Sequence, residues 1–133
     1  MEQVSKNFLE DSHFIINLKL CSIRLIDNSK FPWIILIPKR KNTTDILELS
    51  GKDQKLLMKE IVYASKIMKK TFKAFNLNVE KIGNIVSQLH IHIIARTQKD
   101  SSWPLSVWVV KKKTYFKQDL NKTIKKLKRN FGV

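Results

Sequence analysis

From Gln88 to Ile93 polar and apolar residues alternate, in the stretch Ser87-Gln88-Leu89-His90-Ile91-His92-Ile93-Ile94-Ala95-Arg96. Side chains two apart on an extended chain share one face. The spacing therefore predicts a strand over 87–95 that carries Gln88, His90 and His92 in one polar row. Leu89, Ile91 and Ile93 point the other way into apolar packing. Two of the chain's three histidines lie in that row. An imidazole is partly unprotonated at neutral pH, so one ring can attack phosphorus while a neighbouring ring or amide donates hydrogen bonds to the phosphoryl oxygens. Phosphoryl and nucleotidyl transfer need mostly positioning and charge stabilisation, which Arg96 and backbone donors are expected to supply. This chemistry requires no metal and no cofactor. The pair could instead ligate zinc, but a closed site needs more ligands, and only His13, Cys21 and carboxylates remain. A solvated strand face without function is the other alternative.

Other elements must position the row. Leu18 to Asp27 roughly alternates and Ile34-Ile35-Leu36-Ile37 is wholly apolar, so both read as strands. The turn formers of Asp27-Asn28-Ser29-Lys30-Phe31-Pro32 join them into a hairpin, which Pro38 closes. Asp45 opens a short helical turn, and Ser50 with Asp53 three residues on marks the start of a long helix over 51–75. Its apolar positions, among them Leu57, Ile61, Ala64, Met68 and Phe72, recur every three or four residues, and lysines fill its other face. Residues 76–81 read as a further strand before the Gly83-Asn84 turn, and 115–129 as a basic amphipathic helix. Strands on both sides of one long helix imply an antiparallel α+β layer rather than a doubly wound sheet.

The chain has 133 residues, so a single domain over 1–133 is expected. One cysteine allows no internal disulfide, which fits a reducing, cytoplasmic setting. The opening residues Met1 to Lys6 carry no long apolar stretch, and no run reaches the length of a membrane span. A formal net charge of +15 attracts phosphate-bearing ligands in general, although lysine on solvated surfaces also serves solubility.

The row Gln-Leu-His-Ile-His resembles the alternating His-x-His-x-His motif of the histidine triad superfamily, and more of the chain follows. Phe31 to Arg40, the long helix, Gly83-Asn84 and the motif strand appear in that family's order. Trp103-Pro104 followed by Val107-Trp108 is similar to the tail of a bacterial branch that also has Gln in place of the first His. The resemblance implies a histidine-triad-like α+β fold, with an antiparallel sheet of about five strands, one long helix and one or two shorter ones. It also implies a nucleotide substrate and a homodimer, with nucleic acid a less favoured partner.

The family's roles carry over by position. His90 matches the nucleophile that forms a covalent nucleotidyl intermediate, and His92 matches the ring that contacts the phosphates. Asp27, with Asn28 beside it, matches the residue holding the ribose hydroxyls, and Asn84 an amide that approaches the phosphate. Ile26 is placed to pack on the base. Gln88 departs from the motif, since an amide cannot titrate and so relays no proton. A histidine common near the start of the second hairpin strand is replaced here by Trp33 or Ile34. Trp103 and Trp108 read as packing or dimer-contact residues, with base stacking as the alternative. The activity implied is hydrolysis or transfer at the α-phosphorus of a nucleoside derivative, such as a dinucleoside polyphosphate or a nucleotide phosphoramidate. Two rivals remain: a non-catalytic nucleotide- or nucleic-acid-binding module with a degenerate triad, and removal of an adenylate from a nucleic-acid end.

Overall fold

The computed structural model describes residues 4–133; Met1, Glu2 and Gln3, read above for the absence of an apolar leader, lie outside the described residues. The elements run α1 (Lys6–Asp11), β1 (Ser12–Asn17), β2 (Cys21–Ile26), β3 (Trp33–Pro38), α2 (Gly51–Phe72), β4 (Asn76–Glu80), β5 (Ile91–Arg96) and α3 (Lys117–Asn130). Short 3-10 turns occupy Ile46–Glu48 and Val107–Val109. The strands form one five-stranded sheet in the order β1-β2-β3-β5-β4, every neighbouring pair antiparallel. This is the α+β architecture expected from the sequence. Among the described residues no helix is long and apolar enough to cross a membrane.

Strand alternation divides the interior. Ile23, Leu25, Ile34, Leu36, Ile91 and Ile93 face Leu57, Ala64, Ile67 and Met68 of α2 and Leu127 of α3, forming the main core. Trp33, Ile35, Ile37 and Ile94 face the opposite side, where two smaller clusters gather. One covers Trp33 and Ile94 with Phe31 and Val107, and the other covers Ile35 and Ile37 with Phe8 of α1. The face away from α2 is thus roofed by residues from α1 and from the segment after β5.

The helix starts where expected: Ser50 caps α2 by accepting from the Asp53 N–H, and Asp45 and Glu48 form a capping box on the preceding turn. It ends at Phe72 rather than Phe75. Lys73 takes a left-handed conformation, and the Phe75 N–H bonds the Arg96 carbonyl, so the chain has already turned to pair with β5. The motif strand also starts later than expected, at Ile91 rather than Ser87. Continuing the β3–β5 register would set Leu89 against Pro38, which has no N–H to give the ladder. The Leu89 N–H bonds the Thr43 carbonyl instead. Neither α1 nor β1 was read from the sequence. Six residues are too few for helical periodicity to show, and a bulge between Phe14 and Ile16 breaks the alternation of β1.

Glu60 lies on the buried stripe of α2, between Leu57 and Ala64, and accepts the N–H groups of Leu20 and Cys21 at 2.8 Å each. It satisfies two donors in the tight β1–β2 connection that helical packing would otherwise bury unpaired. Burial and this nearby carboxylate push the Cys21 thiol far above its usual range, so the thiol stays protonated. Glu60→Ala should destabilise the protein by about 3 kcal/mol, read from urea unfolding, whereas the neighbouring Lys59→Ala should change it little. Equal effects from the two substitutions would refute this role for Glu60.

Candidate functional site

The β3–β5 register sets His92 beside Ile35 and Ile94 beside Trp33 on the face away from α2. His90 falls on the same side, and the two imidazole centroids lie 4.7 Å apart, edge to face. Both residues are 5 % exposed. They line a cavity of about 570 Å³, walled by Phe8 of α1, Ile26 and Asn28 at the end of β2, and Trp33. Residues 82–86 and, in the C-terminal segment, Val107, Trp108 and Val110 complete the wall. That size and mixed lining suit a small organic ligand with a few polar anchors.

Each ring is held through Nδ1. His90 Nδ1 lies 2.7 Å from the Gln88 carbonyl, an acceptor only, so Nδ1 carries the hydrogen and Nε2 keeps its lone pair. His92 Nδ1 lies 3.0 Å from the indole nitrogen of Trp33. Burial, more than any other cause, holds the His90 imidazole below its ordinary value; the bond to the Gln88 carbonyl partly offsets this and the charge of Lys81 adds to it. Burial, then the neighbouring His90, brings His92 down to about 3. At neutral pH both rings are uncharged, and His90 offers a free lone pair.

Of the residues singled out in the sequence, Ile26, Asn28, Asn84, His90 and His92 meet at the cavity, and Asp27, Gln88 and Arg96 do not line it. The Gln88 side chain leaves the expected row because the chain is not yet in β5 there, and its amide oxygen accepts the Ser5 N–H at 2.8 Å. What Gln88 gives the site is its backbone carbonyl. Arg96 is 1 % exposed, bonded through Nε and Nη2 to Asp100, through Nη1 to Asn78, and through Nη2 to Ser102 and the Leu105 carbonyl. Phe31 and Trp103 flank its guanidinium. Its hydrogen bonds tie Arg96 to β4 and to the C-terminal segment, and it does not line the cavity where the expected contribution to phosphate charge would be made. Asp27 accepts the Tyr115 N–H at 2.9 Å and lies 3.3 Å from His13 Nε2, pinning the same segment's far end. Burial, then Asp27, raises the Tyr115 hydroxyl to about 12. Between the two ribose candidates, geometry therefore brings only Asn28 to the cavity, although its Oδ1 also accepts the Lys30 N–H.

Sequence reasoning passed over Phe8 and Trp33 as site residues and read Trp108 as a packing or dimer-contact residue, with base stacking as the alternative; all three line the cavity. Phe8 packs edge-on against His90, and Trp108 against His92, with the Trp108 indole N–H on Glu80 at 2.8 Å. An aromatic opening the second hairpin strand in place of a polar residue was the available signal for Trp33.

The +15 charge is not focused on this cavity. Its charged lining is Asp11 and Lys112, paired with each other at 3.4 Å, and Lys81 pairs with Asp45. The lysine-rich helices α2 and α3 cover the opposite face of the sheet. Among the described residues no three His, Cys, Asp or Glu side chains converge to hold a metal ion.

A model of the HIT domain matches residues 7–99. Among solved structures, the chain is similar to a histidine triad protein from Bradyrhizobium japonicum at 33 % identity and a TM-score of 0.93, covering 97 % of each chain. It is similar to a histidine triad (HIT) protein from Sinorhizobium meliloti 1021 at 32 % identity and a TM-score of 0.93, covering 97 % of this chain and 96 % of that one. A histidine triad protein from Marinobacter aquaeolei VT8 shares 31 % identity with a TM-score of 0.93, covering 98 % of this chain and 96 % of that one. No curated protein matches.

The depressed histidines make stability depend on pH. Below the ordinary imidazole value of 6.5 the unfolded chain takes up protons that the folded sites refuse, so folding stability falls, and for His92 the loss continues toward about pH 3. The urea midpoint should therefore drop between pH 7.5 and 5, and drop less in His92→Gln. An equal drop in both proteins would contradict the assignment for His92.

Proposed function

Since the chain belongs to the HIT domain family, we propose that it is a nucleotide-binding hydrolase or nucleotidyl transferase that attacks the α-phosphorus of a nucleoside derivative with His90. One observation carries this reading: His90 Nδ1 is committed to the Gln88 carbonyl, which leaves the Nε2 lone pair of a neutral, buried ring at a nucleotide-sized cavity.

In the first step Nε2 of His90 forms a bond to the α-phosphorus. The bond from phosphorus to the leaving group breaks, and its electron pair departs with that group. In the second step water attacks the same phosphorus, the N–P bond returns its electrons to His90, and a proton passes to solvent as the nucleoside monophosphate forms. If a different acceptor takes the place of water, the same intermediate gives transfer. His92 and Asn84 donate hydrogen bonds to the phosphoryl oxygens, whose charge is spread in the transition state. Asn28 holds the ribose hydroxyls, and Ile26 packs on the base. Gln88 takes no proton in this scheme; its carbonyl orients the nucleophile.

The substrate classes to compare are a dinucleoside polyphosphate, a nucleotide phosphoramidate and an adenylated oligonucleotide, with AMP release as the readout. His90→Ala should lower turnover on the best of them by on the order of a thousandfold, while AMP still binds. Asn28→Ala should raise KM about tenfold, the equivalent of one lost hydrogen bond. Turnover unchanged in His90→Ala would defeat the proposal. Native protein that binds AMP but turns over none of the three would favour a binding module.

A further inference from the structure

We propose that Trp33 is a positioning residue for this reaction, its indole N–H locking His92 in the tautomer that offers Nε2–H to the phosphoryl oxygens. The inference rests on the nucleotidyl-transfer reading above and adds a residue that acts through His92.

An indole nitrogen can only donate a hydrogen bond. Trp33 Nε1 lies 3.0 Å from His92 Nδ1, so Nδ1 must present its lone pair and the ring hydrogen must sit on Nε2. The other tautomer would set two N–H groups against each other in a buried place and leave the indole donor unsatisfied. Trp33 is itself immobilised: it opens β3 opposite Ile94, is 5 % exposed, and packs with Phe31 and Val107. Trp108 closes edge-on over both Trp33 and His92, at 4.9 and 5.3 Å between centroids.

The other groups around His92 leave this choice to Trp33. His90 lies two residues before it, just ahead of β5, ring edge to face. Glu80 sits across from it on β4, but its carboxylate takes the Trp108 indole N–H. The two imidazoles are therefore fixed in opposite senses by opposite partners. A carbonyl on His90 Nδ1 makes Nε2 an electron-pair donor toward phosphorus, and an N–H on His92 Nδ1 makes Nε2 a hydrogen-bond donor toward its oxygens.

The test uses Trp33→Phe, which keeps an aromatic ring and removes the N–H together with some packing volume, beside Phe31→Leu, which disturbs the same packing and keeps the N–H. Imidazole nitrogen resonances in the ¹⁵N-labelled full chain report the His92 tautomer directly and without turnover. The native protein should show Nε2–H alone. Trp33→Phe should show a mixture, with kcat for AMP release lower by about tenfold and KM little changed, because the lost orientation matters most as charge builds on the oxygens. Phe31→Leu should keep the native tautomer. The proposal is overturned if Trp33→Phe retains Nε2–H alone, if it mixes tautomers with kcat unchanged, or if Phe31→Leu reproduces both changes. Native protein without AMP release would defeat the nucleophile reading instead, and the nitrogen spectrum of Trp33→Phe would still decide whether Trp33 sets the His92 tautomer.

Discussion

The hydrogen bond from His90 Nδ1 to the Gln88 carbonyl, at 2.7 Å, is the constraint on which the rest of the site depends. Gln88 lies outside the β3–β5 ladder, since the strand begins only at Ile91. Attack by Nε2 also requires the ring to stay neutral, because a charged imidazole would have no lone pair left to use, and the bond to the carbonyl itself favours the charged form. Burial supplies that neutrality for His90 and the charge of Lys81 strengthens it, while for His92 burial is joined by His90, 4.7 Å away. A neutral imidazole with a lone pair on Nε2 would need no adjacent base to act as the proposed nucleophile. That is compatible with glutamine standing where the motif otherwise places a first histidine.

Keeping two imidazoles dry is a task for the whole chain. The sheet cannot do it alone, because one face is consumed by α2 and α3. The other face is closed by Phe8 from the N-terminal helix and by Val107 and Trp108 from the C-terminal segment. Two polar clusters hold that segment down. At one end Arg96 gathers Asp100, Ser102 and the Leu105 carbonyl; at the other Asp27 takes the Tyr115 N–H, and the Ser29 N–H bonds the Lys113 carbonyl. Arg96 and Asp27 thus belong to the scaffold of the cavity wall. A buried guanidinium bonded through all three of its nitrogens and a carboxylate with both oxygens engaged stabilise a fixed conformation, which suits a wall and not a ligand contact.

Much of this was legible in the sequence. The long helix declared itself through Ser50, Asp53 and an apolar stripe from Leu57 to Met68, and β3 through its four consecutive aliphatic residues. Period-two alternation correctly placed Leu89, Ile91 and Ile93 in the core and both histidines on the other face. What failed was inference about partners, which a one-dimensional pattern does not contain. Alternation could not reveal that Pro38 would end the ladder and release Gln88 from the row. Nor could a lone arginine at the end of a strand show that Asp100, four residues later, would claim it. The choice between Asp27 and Asn28 turned on which side chain the C-terminal segment would occupy, a contact made 88 residues away. Trp33 was visible only as a departure from a motif, and its meaning needed the register that sets it beside His92.

The most direct test of the central claim is the mass of the native protein quenched during turnover of a nucleotide substrate. The account predicts one added nucleotidyl group, labile in acid and stable in alkali as expected for a phosphorus–nitrogen bond, and mapping to His90 on peptide analysis. Release of the monophosphate with no covalent species trapped at any time, or a nucleotidyl group mapping to a residue other than His90, would contradict it.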